Sequence, residues 1–145
     1  MGFDEMTKVR TIGSLGLAAL GAVALAALAM PAFAQRPLLA MLDSLEPGLW
    51  ELRIREVGGG VERICLRDGR RLIQLRHPAA ACDRIVVEDS AGEVAVQYTC
   101  RGQGYGLTRI RYETPRLIQL DSQGVANGLP FAFAAEGRRV GNCAS

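Results

Sequence analysis

The sequence has few of the residues from which active sites are usually built. Among 145 residues there is a single His, His77, and a single Trp, and the aromatic share is 6%. One His cannot supply a His-rich metal site. The sequence also lacks Cys-x-x-Cys and Gly-x-Ser-x-Gly, the motifs of thiol redox sites, zinc knuckles and hydrolase nucleophiles. We therefore expect no enzyme activity, no metal and no cofactor, with His77 as a solvated or capping loop residue.

The charges are almost balanced. The 17 basic and 15 acidic residues leave a formal net charge of +2. A nucleic-acid-binding protein usually concentrates its basic residues on one face. Here Arg and Glu residues alternate along the same segments, which is typical of a solvated surface. The composition therefore predicts no nucleic-acid partner.

Charged residues are absent from a long stretch near the N-terminus. This uncharged run, residues 12–30, follows Lys8 and Arg10 and is itself followed by Ala-Phe-Ala. A basic start, an apolar centre and a small-residue cleavage site are the three parts of a secretory signal peptide. We predict cleavage after Ala34 and a periplasmic protein. A signal segment that stays uncleaved as a membrane anchor is the alternative.

The mature chain is predicted to hold one domain. Residues 1–34 are the signal peptide, residues 35–46 are a linker with room for one amphipathic turn, and residues 47–145 form a disulfide-bonded β domain. The first strand, residues 49–57, alternates Trp50 and other apolar residues with Glu and Arg. This period of two is typical of a half-buried strand.

Further segments have strand-like alternation and turn signals at their ends. These predicted strands are residues 61–67, 83–89, 93–100, 107–113, 116–121 and 129–135. Asp68 is predicted to cap a short helix that ends at Pro78, residues 101–106 are predicted as a turn, and Ile85 is predicted to pair with Val96. The fold class is all-β: an antiparallel meander of about seven strands forming a curved sheet or open barrel, with one short helix after the second strand and an N-terminal signal-peptide helix.

All four cysteines lie in the predicted mature chain. An even number of cysteines in an exported chain indicates two disulfides, with three possible pairings. The faces to which the side chains point favour Cys65 with Cys82 and Cys100 with Cys143. A bridge between Cys82 and Cys100 is the main alternative, and it needs a one-residue change in strand register.

Several short motifs occur in a recognisable order. They are Pro-Gly-Leu-Trp-Glu at residues 47–51, Ile-Cys-Leu at 64–66, Cys82, Tyr-Thr-Cys at 98–100 and Gly-Arg-Arg-Val-Gly-Asn-Cys at 137–143. Their order and spacing resemble the domain of unknown function 3617 family, small exported proteins of Gram-negative bacteria. The resemblance implies an exported β-rich domain with disulfides. It implies no established activity and no functional residues.

Two functional hypotheses follow from the sequence. The first is a non-catalytic periplasmic module that is structural or binds an envelope protein or small ligand. The alternative is a carrier of a lipophilic or anionic envelope ligand on the concave face of the sheet, with Trp50, Tyr98, Phe131 and Phe133 facing the ligand. A cavity of several hundred Å³ on that face would favour the carrier, and a filled core would favour the structural role.

Overall fold

The computed structural model describes residues 38–144, so the predicted signal peptide and its cleavage site lie outside the described residues. Residues 38–144 form one antiparallel sheet, which confirms the predicted all-β fold. Its strands are β1 (Gly48–Ile54), β2 (Val61–Leu66), β3 (Cys82–Asp89), β4 (Glu93–Cys100), β5 (Gly104–Thr114), β6 (Leu117–Ala126) and β7 (Leu129–Gly141).

The strand order shows how the strands of the sheet are connected. The order is β2-β1-β7-β6-β5-β4-β3, so β3 to β7 form a meander and β1 then pairs with β7. This pairing joins the first and last strands of residues 38–144 and leaves β2 and β3 as the two edges. The connection between these edges therefore passes over one face of the sheet.

That face, called the inner face here, carries the core. Alternate residues of each strand point to it, as the period of two requires. Its fully buried side chains include Trp50, Leu52, Val94, Val96, Tyr98, Ile110, Ile118 and Leu120. Fully burying one such side chain contributes roughly 1.5–3 kcal/mol, so the inner face is the main source of stability.

Two short helical segments cover the inner face. A 3₁₀ helix (Gly69–Gln74) follows β2, and the Asp68 side chain accepts a hydrogen bond of 2.8 Å from the backbone N–H of Arg70. This confirms the predicted helix and its cap, with an earlier end. The buried Leu72 and Ile73 lie on the sheet, where the Ile73 carbonyl accepts a 2.6 Å hydrogen bond from the Thr108 hydroxyl.

The second covering segment precedes β1. Helix α1 (Ala40–Asp43) is one turn long, and its apolar side chains and those beside it are buried: Leu39, Met41, Leu42 and Leu45. This part of the predicted linker is therefore part of the core of the domain. None of the helices in residues 38–144 is long and apolar enough to span a membrane.

The predicted register between β3 and β4 is wrong by one residue. Val86, not Ile85, lies opposite Val96, and the Ile85 side chain is 65% exposed. A bulge lies between Val86 and Glu88, where the register shifts. Because one extra residue turns every following side chain to the other face, the apolar alternation in this strand indicated the wrong face.

The preferred disulfide pairing is also wrong. The disulfides are Cys82–Cys100 and Cys65–Cys143, with Cα–Cα distances of 4.2 and 5.4 Å. The true register places Cys82 and Cys100 directly opposite each other. Strand β7 runs to Gly141 beside β1, and Leu49 of β1 pairs with both Gly141 and Cys65. Cys143 therefore passes the end of β1 and meets Cys65.

Candidate functional site

The predicted ligand-facing aromatic residues lie on the inner face. Trp50 and Tyr98 are fully buried, Phe133 is buried and Phe131 is half-buried. The Trp50 indole N–H donates a 3.0 Å hydrogen bond to the Glu46 carbonyl. The structure brings Tyr98, Phe131 and Phe133 together around the loop after the 3₁₀ helix, and it places Trp50 in the core apart from them. These side chains pack against the protein's own chain.

His77 packs against two of these aromatic side chains, those of Tyr98 and Phe131. Its side chain is buried, with 4% of the residue exposed, so the prediction of a solvated loop residue is wrong. The ring lies edge-on to Tyr98, with centroids 5.5 Å apart, and 6.4 Å from the Phe131 ring. His77 therefore anchors the loop between the 3₁₀ helix and β3 onto the inner face.

Glycines in β5 and β6 make room for this packing. Gly106 lies opposite Tyr98, and Gly124 lies opposite Gly106 and Phe131. A Cβ at Gly106 would lie 2.5 Å from the Tyr98 hydroxyl oxygen, which is closer than real Cβ atoms approach. Gly106 was predicted to lie in a turn, and Gly124 lies after the predicted end of the sixth strand, but both belong to strands and have a packing role.

A buried hydrogen-bond network satisfies His77 and its neighbours. Nε2 donates to the Gln103 carbonyl at 3.1 Å, because a carbonyl can only accept, and Nδ1 lies 3.4 Å from the Tyr98 hydroxyl. The hydroxyls of Ser122 and Thr108 are 2.8 Å apart. In the part of the chain that the structure describes, every buried side-chain N or O atom has a partner. Such a network stabilises one arrangement of the core.

Two cavities of the outer face adjoin each other. One has a volume of about 430 Å³ and the other about 510 Å³, and both are lined by Leu107, Gln123 and Ala132. We call this continuous depression the outer groove. It lies on the face of β5, β6 and β7 opposite the core.

The sheet register explains the shape of the outer groove. Three rows of cross-strand neighbours line it: Tyr105 with Val125 and Pro130, Leu107 with Gln123 and Ala132, and Arg109 with Asp121 and Ala134. Strand β7 contributes only small side chains to these rows, whereas β5 contributes long ones. A strip of short side chains beside long ones leaves a depression along the sheet.

The two ends of the outer groove differ in chemistry. Tyr105, 52% exposed, lies with Val125 and Pro130 at the apolar end. Glu56 and Asp121 lie at the other end. The Glu56 carboxylate accepts a hydrogen bond from the Ala134 backbone N–H, which fixes the turn after β1 against β7. The groove therefore runs from an apolar to an acidic end.

A further cavity of about 410 Å³ lies between the edge strands β2 and β3. Its polar groups are engaged with the protein. Arg84 donates to the Gln74 side-chain oxygen at 2.6 Å, and Arg71 donates to the Cys65 carbonyl at 2.7 Å. These contacts join each edge strand to the 3₁₀ helix and occupy the polar groups of the cavity, so it is less suited to a ligand than the outer groove.

The donor set for a metal is poor in the described chain. Residues 38–144 contain no group of three or more His, Cys, Asp or Glu side chains placed to hold a metal ion. Each of the four cysteines is in a disulfide. No protein-family model, curated protein or solved structure matches this chain, so the resemblance to the domain of unknown function 3617 family stays a prediction.

Proposed function

We propose that this protein is an exported, non-catalytic binding module of the periplasm that takes an elongated apolar ligand in the outer groove. One observation carries the proposal. The inner face is filled by the protein's own side chains, whereas the outer groove is an open depression with apolar and polar walls. Ligand sites are usually clefts of about 300–1,000 Å³ with mostly apolar walls and a few polar groups.

The dimensions of the outer groove support an elongated ligand. Successive rows along a strand are two residues apart, and a strand rises about 3.4 Å per residue. Three rows therefore span about 14 Å from the Tyr105 row to the Arg109 row. A chain-like molecule fits such a strip better than a compact one.

Export is supported by two independent features. The N-terminal sequence has the three parts of a signal peptide. All four cysteines form disulfides, which persist in oxidising compartments such as the bacterial periplasm. The periplasm is the compartment that fits both features.

A carrier that uses the concave face is less favourable. A ligand there would have to displace the 3₁₀ helix and expose Leu72 and Ile73, both fully buried. Exposing each side chain costs roughly 1.5–3 kcal/mol, before the broken hydrogen bond to Thr108 is counted. A filled inner face is also expected of a purely structural protein. The structural hypothesis requires that no ligand binds in the outer groove.

A dye titration separates these functions. The probe is N-phenyl-1-naphthylamine, an uncharged apolar dye whose fluorescence rises when it leaves water. We expect the mature protein to bind the dye and Ala132→Trp to weaken its affinity about tenfold or more, because the indole fills the groove. Ala91→Trp, in the exposed turn before β4, is the matched control and should bind like the unchanged protein.

Two results would contradict the proposal. One is dye binding that Ala132→Trp and Ala91→Trp leave equally strong, because the ligand would then bind elsewhere. The other is turnover of ester, peptide or glycoside substrates that His77→Ala abolishes. Circular dichroism and counting of free thiols check that each variant is folded and oxidised.

A further inference from the structure

We propose that the outer groove selects amphiphiles whose polar end is cationic, such as an alkyl chain that carries an ammonium group. This inference rests on the proposed function and names the ligand class. The apolar end of the outer groove suits the chain, and the acidic end suits the charge. The predicted alternative of an anionic ligand does not fit this surface.

The charged side chains at the acidic end of the outer groove are mostly negative. Three charged side chains line that part of the groove: Glu56, Arg109 and Asp121. The Arg109 guanidinium is paired with the Glu93 carboxylate, so its positive charge is neutralised within the protein. The two remaining charges are both carboxylates.

Both carboxylates have oxygen atoms that are available to a ligand. Glu56 uses one oxygen to accept the Ala134 N–H, which holds the carboxylate at the groove and leaves its other oxygen for a ligand. The Asp121 side chain makes no hydrogen bond or ion pair with any residue that the structure describes, and Asp121 is exposed. Both carboxylates therefore belong to residues beside Ala134, which pairs with Asp121 across the sheet.

The cation beside Ala134 that follows β1, Arg55, is directed elsewhere. The Arg55 guanidinium donates to the Gln119 side-chain oxygen and lies 4.0 Å from a Glu136 oxygen. Gln119 and Glu136 form the next row of the outer face, beyond the groove. A ligand ammonium would thus supply the positive charge that the acidic end lacks.

Displacement of the uncharged dye by two amphiphiles of similar chain length tests the inference. The probes are decyltrimethylammonium and decanoate, used below their micelle concentrations, at pH 7 and low salt. We expect the ammonium to bind about five- to tenfold more tightly than the carboxylate, since each exposed charge pair contributes a modest free energy. The preference should shrink at high salt, because salt screens exposed charges.

Two double variants distinguish an effect of the acidic end of the groove from an effect of the protein's net charge. Glu56→Gln with Asp121→Asn should abolish the preference by weakening ammonium binding, while Gln still accepts the Ala134 N–H and keeps the turn after β1 in place. Asp83→Asn with Glu88→Gln, on the exposed edge strand β3, changes the net charge equally and should keep the preference.

The outcomes distinguish the two proposals. Equal or tighter binding of decanoate, or a preference that survives Glu56→Gln with Asp121→Asn, would overturn the inference while the groove still binds the dye. Dye binding that is insensitive to Ala132→Trp would overturn both proposals.

Discussion

Tyr98 packs directly over Gly106 of the neighbouring strand. The two residues are paired across β4 and β5, and a Cβ at Gly106 would lie 2.5 to 2.8 Å from three atoms of the Tyr98 side chain. The glycine lets the tyrosine ring lie flat along the sheet, where its hydroxyl reaches His77. The absence of a side chain at Gly106 thus lets Tyr98 contact His77, the residue that anchors the loop after the 3₁₀ helix.

Gly106→Ala should destabilise the protein by about 1–3 kcal/mol, because the added methyl group overpacks a tightly filled core. Gly92→Ala is the matched control, since a Cβ at Gly92 meets nothing within 4 Å. Urea unfolding followed by circular dichroism measures both variants. Equal midpoints for the two variants would mean that Tyr98 can move aside without cost.

The fold class could be predicted from the sequence because alternation of apolar and polar residues depends on neighbours along the chain. The helix after β2 could also be predicted, because its cap Asp68 directly precedes it in the sequence. Two features could not be predicted because contacts distant in sequence determine them: the bulge after Val86 and the pairing of β1 with β7. Both errors led to the wrong disulfide pairing.

The candidate site was less predictable than the fold. The apolar pattern of the sequence correctly placed Trp50 and Tyr98 on the inner face, but it did not show that the chain covers that face. The outer groove depends on which small residues of β7 lie beside long residues of β5. That relation requires the register of three strands, and the predicted β5 and β6 were too short to define it.

The two disulfides should contribute unequally. Cys65–Cys143 closes a sequence separation of 78 residues and Cys82–Cys100 one of 18. Chain entropy predicts contributions of about 4.5 and about 3 kcal/mol, because the longer loop restricts the unfolded chain more. Replacing each pair by serines and measuring urea unfolding checks the order. Mass spectrometry of unreduced peptides checks the pairing, and a peptide linking Cys65 to Cys82 would contradict it.

Alkaline pH should destabilise the protein through Tyr98. Burial raises the pKa of Tyr98, against smaller opposite effects of the hydrogen bond with Ser122 and the positive charge of Arg76. The unfolded chain releases this proton near pH 10, while the folded protein retains it. The contribution of Tyr98 to the free energy of unfolding is therefore constant below about pH 10. Above that pH the contribution decreases as the pH rises towards the raised pKa of Tyr98.

Tyr98→Phe tests this sign. The variant loses hydrogen bonds at every pH, so only the change between pH 8 and pH 10.5 is informative. We expect the urea midpoint of the unchanged protein to fall more over this interval than that of Tyr98→Phe. An equal fall in both proteins would show that other groups cause the alkaline loss.

The segment before β1 should prove essential to the core. Leu42 of α1 is 1% exposed and would meet any Cβ at Gly69, the first residue of the 3₁₀ helix, whereas Leu38 is 66% exposed. Leu42→Ala should cost about 2–5 kcal/mol, as for other buried leucines, and Leu38→Ala should cost little. Urea unfolding of the mature protein measures both.

The same pair of variants tests what covers the inner face. If α1 shields the core, Leu42→Ala opens a cavity there and should create dye binding that Ala132→Trp does not block, whereas Leu38→Ala should not. Equal stability of the two variants would instead mean that residues 38–46 are a linker. The inner face would then be accessible to a ligand at little cost in free energy. A carrier that binds its ligand on this face would then be better supported than binding in the outer groove.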